Sequence, residues 1–123
     1  TKVRAKQFQA YIGGYGFNYP DANNVMLRFG YNPKDSEDNT VSVAWRTGWY
    51  PSDWFNATVM QAQTEPDPFK REKLYHELQR YHVENSPIIF LFQRLGIKAL
   101  SRNVESIKAN ALNISYASAV KKQ

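Results

Sequence analysis

Short segments with alternating or continuous apolar residues predict strands at five places in the chain. Residues 7–12 and 41–45 alternate apolar and polar side chains, which is typical of a strand with one buried face. Residues 88–92 are five consecutive apolar residues, which predicts a strand buried on both faces. Residues 97–100 predict a further strand, and a weaker pattern near 112–115 predicts a last one.

Three other segments, 22–29, 53–63 and 68–85, predict helices. In the second and third, apolar residues recur at intervals of three and four, so that one face of each helix can be buried. A side chain able to accept a hydrogen bond from the first free amides precedes each segment. These expected N-caps are Asp21, Ser52 and Asp67.

The composition is that of one domain without a cysteine scaffold. The chain has 123 residues, 42% of them hydrophobic, and a formal net charge of +5 at pH 7. The absence of cysteine excludes disulfides, Cys-ligated zinc and a thiol nucleophile. Residues 1–30 carry a net charge of +3, residues 31–93 of −3 and residues 94–123 of +5. Because most aromatic residues lie in the neutral and acidic parts, the pattern disfavours a nucleic-acid binder, which usually combines basic and aromatic residues on one element.

The chemistry-bearing residues predict neither catalysis nor a metal or cofactor site. His76 and His82 are the only histidines, and their spacing of six on one helix points them in different directions. The sequence contains no nucleophile elbow and no phosphate-binding glycine motif. The acidic residues lie on expected loops and helix exteriors, where solvated carboxylates are usual. We therefore expect no catalytic residue, no metal ligand and no cofactor.

Residues 13–21 form the segment most suggestive of binding, because glycines, aromatic rings and polar side chains are concentrated there. Rings supply flat apolar walls, and an amide or carboxylate can orient a polar ligand. The candidate ligand contacts are Tyr15, Asn18, Tyr19 and Asp21. The alternative is an ordinary strand–loop–helix connection in which Asp21 only caps the helix. Residues 45–50 hold two tryptophans that could clamp a ligand or cover a core edge.

Six short motifs follow one another along the chain. They are Gly14-Tyr15-Gly16-Phe17-Asn18, Tyr19-Pro20-Asp21, Asp67-Pro68-Phe69-Lys70-Arg71, Leu74-Tyr75, Glu84-Asn85-Ser86-Pro87 and Ala99-Leu100-Ser101-Arg102. Their order resembles the C-terminal portion of bacterial extracytoplasmic solute-binding proteins of the dipeptide/oligopeptide/nickel class, which serve ABC importers. No single motif is specific, but their order and spacing agree over nearly the whole chain.

The resemblance implies an α/β fold, specifically a C-terminal fragment of a two-lobed periplasmic-binding-protein-like fold with a mixed sheet and flanking helices. Such proteins are several times longer than 123 residues. Residues 1–86 would belong to the ligand-closing lobe, and residues 87–123 would form the hinge strand and the return to the N-terminal lobe. An isolated fragment of this kind should leave strand edges and apolar surface without partners.

The implied function is capture of a small solute, either a short peptide or another polar solute, outside the cytoplasmic membrane. The implied location is periplasmic or extracytoplasmic, and the implied partners are ABC permease subunits and the remaining N-terminal part of the same protein. Nucleic acid is not among them. Asn18 departs from the family, in which an aspartate pairs with the amino terminus of the peptide, and a neutral amide cannot replace that charge-assisted bond. The alternative function is a free-standing basic aromatic module that binds nucleic acid or glycan.

Overall fold

A computed structural model describes residues 2–16, 18–33, 43–93, 97, 99–109 and 115–122. Helices dominate this part of the chain, and they are followed by one hairpin. The elements in chain order are helix α1 (Ala22–Val25), which continues as a π-helical turn (Met26–Gly30), helices α2 (Val43–Thr47), α3 (Asp53–Thr64) and α4 (Pro68–Asn85), and strands β1 (Val104–Ala109) and β2 (Ser115–Lys122). Neither α4 nor any other helix of the described residues is long and apolar enough to cross a membrane.

The three predicted helices and their caps are confirmed. Each capping side chain accepts a hydrogen bond from a backbone amide two or three residues further on, which satisfies one of the free donors of the first turn. The N···O distance is 2.8 Å at Asp21, 3.3 Å at Ser52 and 2.9 Å at Asp67. Pro68 follows Asp67 at the first helical position, where a missing amide hydrogen leaves no bond unmade.

Helices α3 and α4 run back along one another and form the core. Phe55 near the start of α3 lies against Tyr81 near the end of α4, with ring centroids 5.1 Å apart. At the other end of the pair, the carbonyl of Ala62 contacts Arg71. Met26 from the π-helical turn joins this cluster. The buried apolar side chains of the cluster are Met26, Phe55, Val59, Ala62, Tyr75 and Leu78.

A buried amide pair attaches the irregular segments around residues 32 and 49–51 to α3. Asn56 is 7% exposed, and its Oδ1 accepts a hydrogen bond from the backbone amide of Asn32 at 2.9 Å. Its Nδ2 donates to the carbonyls of Asn32 and Pro51, each at 3.4 Å. The side chain of Asn32 in turn donates to the carbonyl of Trp49 at 2.8 Å. These bonds serve backbone groups that have no helical partner and would otherwise be costly to bury.

His82 of α4 holds the end of the π-helical turn. Its side chain is 1% exposed, and its Nε2 lies 3.1 Å from the carbonyl oxygen of Phe29. The rings of Trp49 and Phe90 lie 5.0 and 5.7 Å from the imidazole. Because burial disfavours the charged form, the pKa of His82 is lowered from its ordinary value of 6.5, against the opposing effect of the Phe29 carbonyl. The neutral imidazole therefore donates its single N–H to that carbonyl.

Several expected strands are wrong for this structure. Residues 7–12, 88–92 and the described residues among 97–100 have no regular secondary structure, and 43–47 form α2 instead of part of a strand. The segment 88–92, expected to be buried on both faces, is mostly exposed. Residues 41, 42 and 112–114 lie outside the described part of the chain, although Ser115 begins β2.

The physical reason is that a strand is stabilised by its neighbours, whereas a helix closes its own hydrogen bonds. The described residues contain one two-stranded antiparallel sheet, in which Val104 pairs with Lys122 and Ile107 with Val120. Segments with a strand pattern but no ladder remain irregular. The alternation in 41–45 covers too few residues to distinguish one helical turn from a strand. The α/β class and the division at residue 86 stay predictions.

Gly30→Ala is expected to destabilise the fold. A Cβ at this position would lie 2.8 Å from two ring carbons of Phe55, which is fully buried and cannot move aside. We expect a loss of about 1–3 kcal/mol in the free energy of unfolding, the usual cost of overpacking a core. Urea denaturation measures the change. Gly14→Ala is the matched control, since nothing lies within 4 Å of its Cβ, and an equal effect in both variants would contradict the packing argument.

We expect the free energy of unfolding to decrease as the pH is lowered, because of His82. Since its pKa in the folded chain lies below the unfolded value of 6.5, the unfolded chain binds the extra proton as the pH falls through that value. The contribution is therefore present above pH 6.5 and is lost progressively as the pH falls below that value. Urea denaturation at several pH values measures this loss. A titration midpoint at or above 6.5 for His82 in the folded protein, followed by NMR, would contradict the argument.

Candidate functional site

The loop that precedes α1 is tied together by the side chain of Asn24. Asn24 is 2% exposed, and its Oδ1 accepts a short hydrogen bond from the hydroxyl of Tyr15. Its Nδ2 donates to the backbone carbonyl of Tyr19 at 3.2 Å. The ring of Tyr15 also meets Phe29 edge to face, with centroids 5.0 Å apart. One buried amide thus holds two points of the loop against the helix that follows it.

Asp21 connects the same loop to α4. Its Oδ1 accepts from the amide of Asn23 at 2.8 Å, which caps α1, and from Nη2 of Arg71 at 2.8 Å. The hydrogen bond from Arg71 holds the pKa of this carboxyl below its usual value, with help from the Asn23 amide and against partial burial. The carboxylate is therefore ionised and already engaged by two donors.

Arg71 makes three further contacts beside this ion pair. Its Nε donates to the carbonyl of Ala62 at 3.0 Å, which satisfies one of the free carbonyls in the last turn of α3. Its Nη2 lies 3.2 Å from the hydroxyl of Tyr75, and the guanidinium carbon lies 4.9 Å from the centre of the Tyr75 ring. Burial raises the pKa of Tyr75, so this hydroxyl stays protonated. The guanidinium is thus shared among the loop, α3 and α4.

An open cleft of about 370 Å³ lies beside this group, where α1 meets the start of α4. It is shallow, and it has both apolar and polar walls. Ala22, Pro66, Arg71 and Tyr75 are among its lining residues. The cleft is therefore open to solvent, and the described residues would not enclose a ligand completely there.

The structure brings three of the four predicted ligand residues into one network. Tyr15 and Tyr19 are joined through Asn24, and Asp21 donates its backbone amide to the carbonyl of Tyr19 at 3.0 Å and bonds to Arg71. Asn18 is exposed on the same loop. The rings of Tyr15 and Tyr19 are 37% and 44% exposed, so part of each remains open to solvent. Ligand contact by these four residues stays a prediction. Phe17 lies outside the described part of the chain.

The tryptophans of residues 45–50 have structural contacts. Trp45 is 7% exposed, and the ammonium of Lys6 lies 4.1 Å from the centre of its ring. Trp49 packs edge to face against Phe55 and His82, with centroids 5.6 and 5.0 Å away. These contacts favour the interpretation of this segment as a core edge over that of a ligand clamp.

Sequence reasoning missed Asn24 and the ion pair of Arg71. Asn24 stands in a run of two asparagines inside a short helix, and nothing in the pattern distinguishes it. Arg71 is separated from Asp21 by 50 residues, so local spacing cannot pair them. The available signal was weak: Arg71 belongs to the Asp-Pro-x-x-Arg segment and Asp21 to the Tyr-Pro-Asp segment, two of the motifs that carry the family resemblance.

The described residues include no group of three or more histidine and carboxylate side chains close enough to hold a metal ion. His82 is buried in the core, and His76 lies exposed on the same helix near Glu72, with 3.9 Å between Nε2 and Oε1. The opposite charges of Asp21 and Arg71 thus neutralise each other. The arrangement can fix the position of a loop and present aromatic rings and a neutral amide to a solute.

Comparison with known proteins adds no relative. No protein-family model, no curated protein and no solved structure matches the chain.

Proposed function

We propose that this chain is the C-terminal part of an extracytoplasmic solute-binding protein that delivers a small polar solute, or a short peptide, to an ABC-type permease. Its role is capture and presentation, without a chemical step. The solute is held between two lobes that close about a hinge, as in other two-lobed binding proteins. Residues 1–86 contribute to the closing lobe, and residues 87–123 contribute the hinge segment, irregular here and a strand only beside partner strands of the other lobe, and the return to that lobe.

The observation that carries the proposal is the meeting of two sequence motifs in space. The Tyr-Pro-Asp segment and the Asp-Pro-x-x-Arg segment both belong to the family resemblance, and the ion pair between Asp21 and Arg71 joins them across 50 residues at 2.8 Å. Motifs that matched by chance would have no reason to be joined by a salt bridge. Their contact supports a common origin with the family in which they occur together.

A second support is the apolar surface of residues 88–92. Ile89 and Phe92 are each 80% exposed, and Leu91 is 63% exposed. A contiguous apolar stretch of this kind marks an interaction surface. Its strand pattern fits addition to a sheet, so the proposed partner is the remaining part of the same protein.

The loop chemistry indicates how a solute would be recognised. Arg71 and the amide of Asn23 both donate to Oδ1 of Asp21, and the charge of the carboxylate is balanced by that of Arg71, so its attraction for an ammonium group is weakened. The groups that face outward are the rings of Tyr15 and Tyr19 and the amide of Asn18. Such groups suit a solute with flat apolar faces and neutral hydrogen-bonding groups.

Native mass spectrometry of the intact polypeptide that contains this chain tests the proposal. The protein is purified gently and measured as isolated, and then again after incubation with mixed di- to pentapeptides and with mixed oligosaccharides. We expect a one-to-one adduct with a small polar solute in at least one of these samples. If no sample carries a small solute, or if the protein instead retains nucleic acid with steeply salt-dependent affinity, the proposal is wrong.

Asn18→Ala in the intact polypeptide is expected to weaken binding of the solute identified in that experiment. Loss of one neutral hydrogen bond corresponds to about 1 kcal/mol, or roughly fivefold in Kd. Because Asn18 is exposed, the melting temperature of the unliganded protein should hardly change. Calorimetric titration measures Kd, and Gln63→Ala, at an exposed amide on α3, is the matched control. Equal affinities for the wild type and Asn18→Ala would remove Asn18 from the site.

A further inference from the structure

Arg71 is the one side chain that bonds to the binding loop, to α3 and to its own helix at the same time, among the contacts of the described residues. Nη2 reaches Asp21 at 2.8 Å and Tyr75 at 3.2 Å, and Nε reaches the carbonyl of Ala62 at 3.0 Å. Its side chain is 29% exposed and that of Asp21 is 33% exposed. The pair is thus partly shielded from water, which strengthens it relative to a fully solvated surface pair.

The loop itself has little regular structure to hold it. Residues 7–16 contain no helix or strand, and the glycines at 13, 14 and 16 increase the number of conformations open to the backbone. The attachments of the loop to the helices include the bonds of Asn24, the ion pair of Asp21 and the contact of Tyr15 with Phe29. The Asn24 bonds reach only α1, which adjoins the loop in sequence. The Asp21 pair reaches the distant helix α4.

We propose that Arg71 is a positioning residue that acts through Asp21 to hold the loop of residues 13–21 at a fixed place relative to α4. The meaning of this role for ligand capture rests on the proposed function. Fixing the loop in advance reduces the conformational entropy lost when a solute binds to Tyr15, Asn18 and Tyr19. Arg71 itself need not touch the solute.

The side-chain type at position 71 is part of the argument. A guanidinium offers planar donors in fixed directions, so that Nε and Nη2 can bond to Ala62 and Asp21 at once. A lysine ammonium has the charge but is a single point, and it cannot span both acceptors. The ring of Tyr75 below the guanidinium further restricts its orientation.

Distance measurements between two spin labels in the intact polypeptide test the inference. This chain contains no cysteine, so labels can be introduced at Gly16→Cys in the loop and Glu77→Cys on α4. Nothing lies within 4 Å of a Cβ at Gly16, and Glu77 is exposed. We expect a narrow distance distribution in this background. Arg71→Gln should broaden it, and Arg80→Gln, at an exposed cation on the same helix, should not.

Asp21→Ser separates positioning from simple stabilisation. Serine retains a capping oxygen for α1, whereas its short side chain removes the partner of Arg71. If Arg71 acts through Asp21, each single variant broadens the distribution and the double variant broadens it no further. A narrow distribution in Arg71→Gln, or additive broadening in the double variant, would overturn the proposal.

The amount of solute that each variant retains distinguishes failure of this inference from failure of the proposed function. In native mass spectrometry against the same peptide and oligosaccharide mixtures, Arg71→Gln should retain its adduct about tenfold less than Arg80→Gln, equivalent to about 1.4 kcal/mol. Equal retention in the two variants would overturn the role of Arg71 in binding. If the wild type carries no adduct, the proposed function fails, while the spin-label result still decides whether Arg71 holds the loop.

Discussion

The packing around the buried ring of Phe55 is the interaction on which the rest of the structure depends. The ring is fully buried at the start of α3, with Trp49 5.6 Å and Tyr81 5.1 Å away between ring centroids. The backbone of Gly30 approaches so closely that a Cβ would collide with the ring. The π-helical turn, the segment before α3 and the end of α4 therefore meet at one side chain. A closely packed aromatic ring fixes its neighbours because protein interiors yield little to changes in shape.

Around this core, single polar side chains attach the segments that have no regular structure. Asn56 makes hydrogen bonds to the backbone of residues 32 and 51, and Asn24 makes one to the loop at Tyr19. Arg71 completes the last turn of α3 and binds Asp21. Irregular backbone cannot satisfy its own donors and acceptors, so side chains from neighbouring helices must do so. The hydrogen bonds of Asn56, Asn24 and Arg71 thus stabilise the fold, even where the loop that they hold is the candidate binding surface.

This division explains what could be predicted from the sequence. Asp21, Ser52 and Asp67 were found as caps because capping is a contact between residues two or three positions apart. The pairing of Asp21 with Arg71 could not be found that way, since it spans 50 residues and depends on how α3 folds back against α4. The strand predictions for 7–12 and 88–92 failed for the same reason. An apolar pattern shows that a segment is compatible with a strand, but it does not show whether a partner strand is present to pair with it. The segment 13–21 was found as a candidate site from composition, yet the amide that organises it, Asn24, carried no local signal.

Helix α4 connects the two features that the proposed function requires. Arg71 near its start holds the loop of residues 13–21, and His82 near its end contacts Phe90, with ring centroids 5.7 Å apart. Eleven residues of α-helix separate these positions by about 16 Å. Phe90 lies in the exposed apolar stretch that continues the chain beyond α4, and in the proposed architecture that stretch lies at the hinge. A helix is stiff over this length, so rotation at the hinge would carry the loop with it as one body. The Asp21–Arg71 ion pair at one end of α4 and the His82–Phe90 contact at the other would thus make closure of the lobe and movement of the binding loop a single motion.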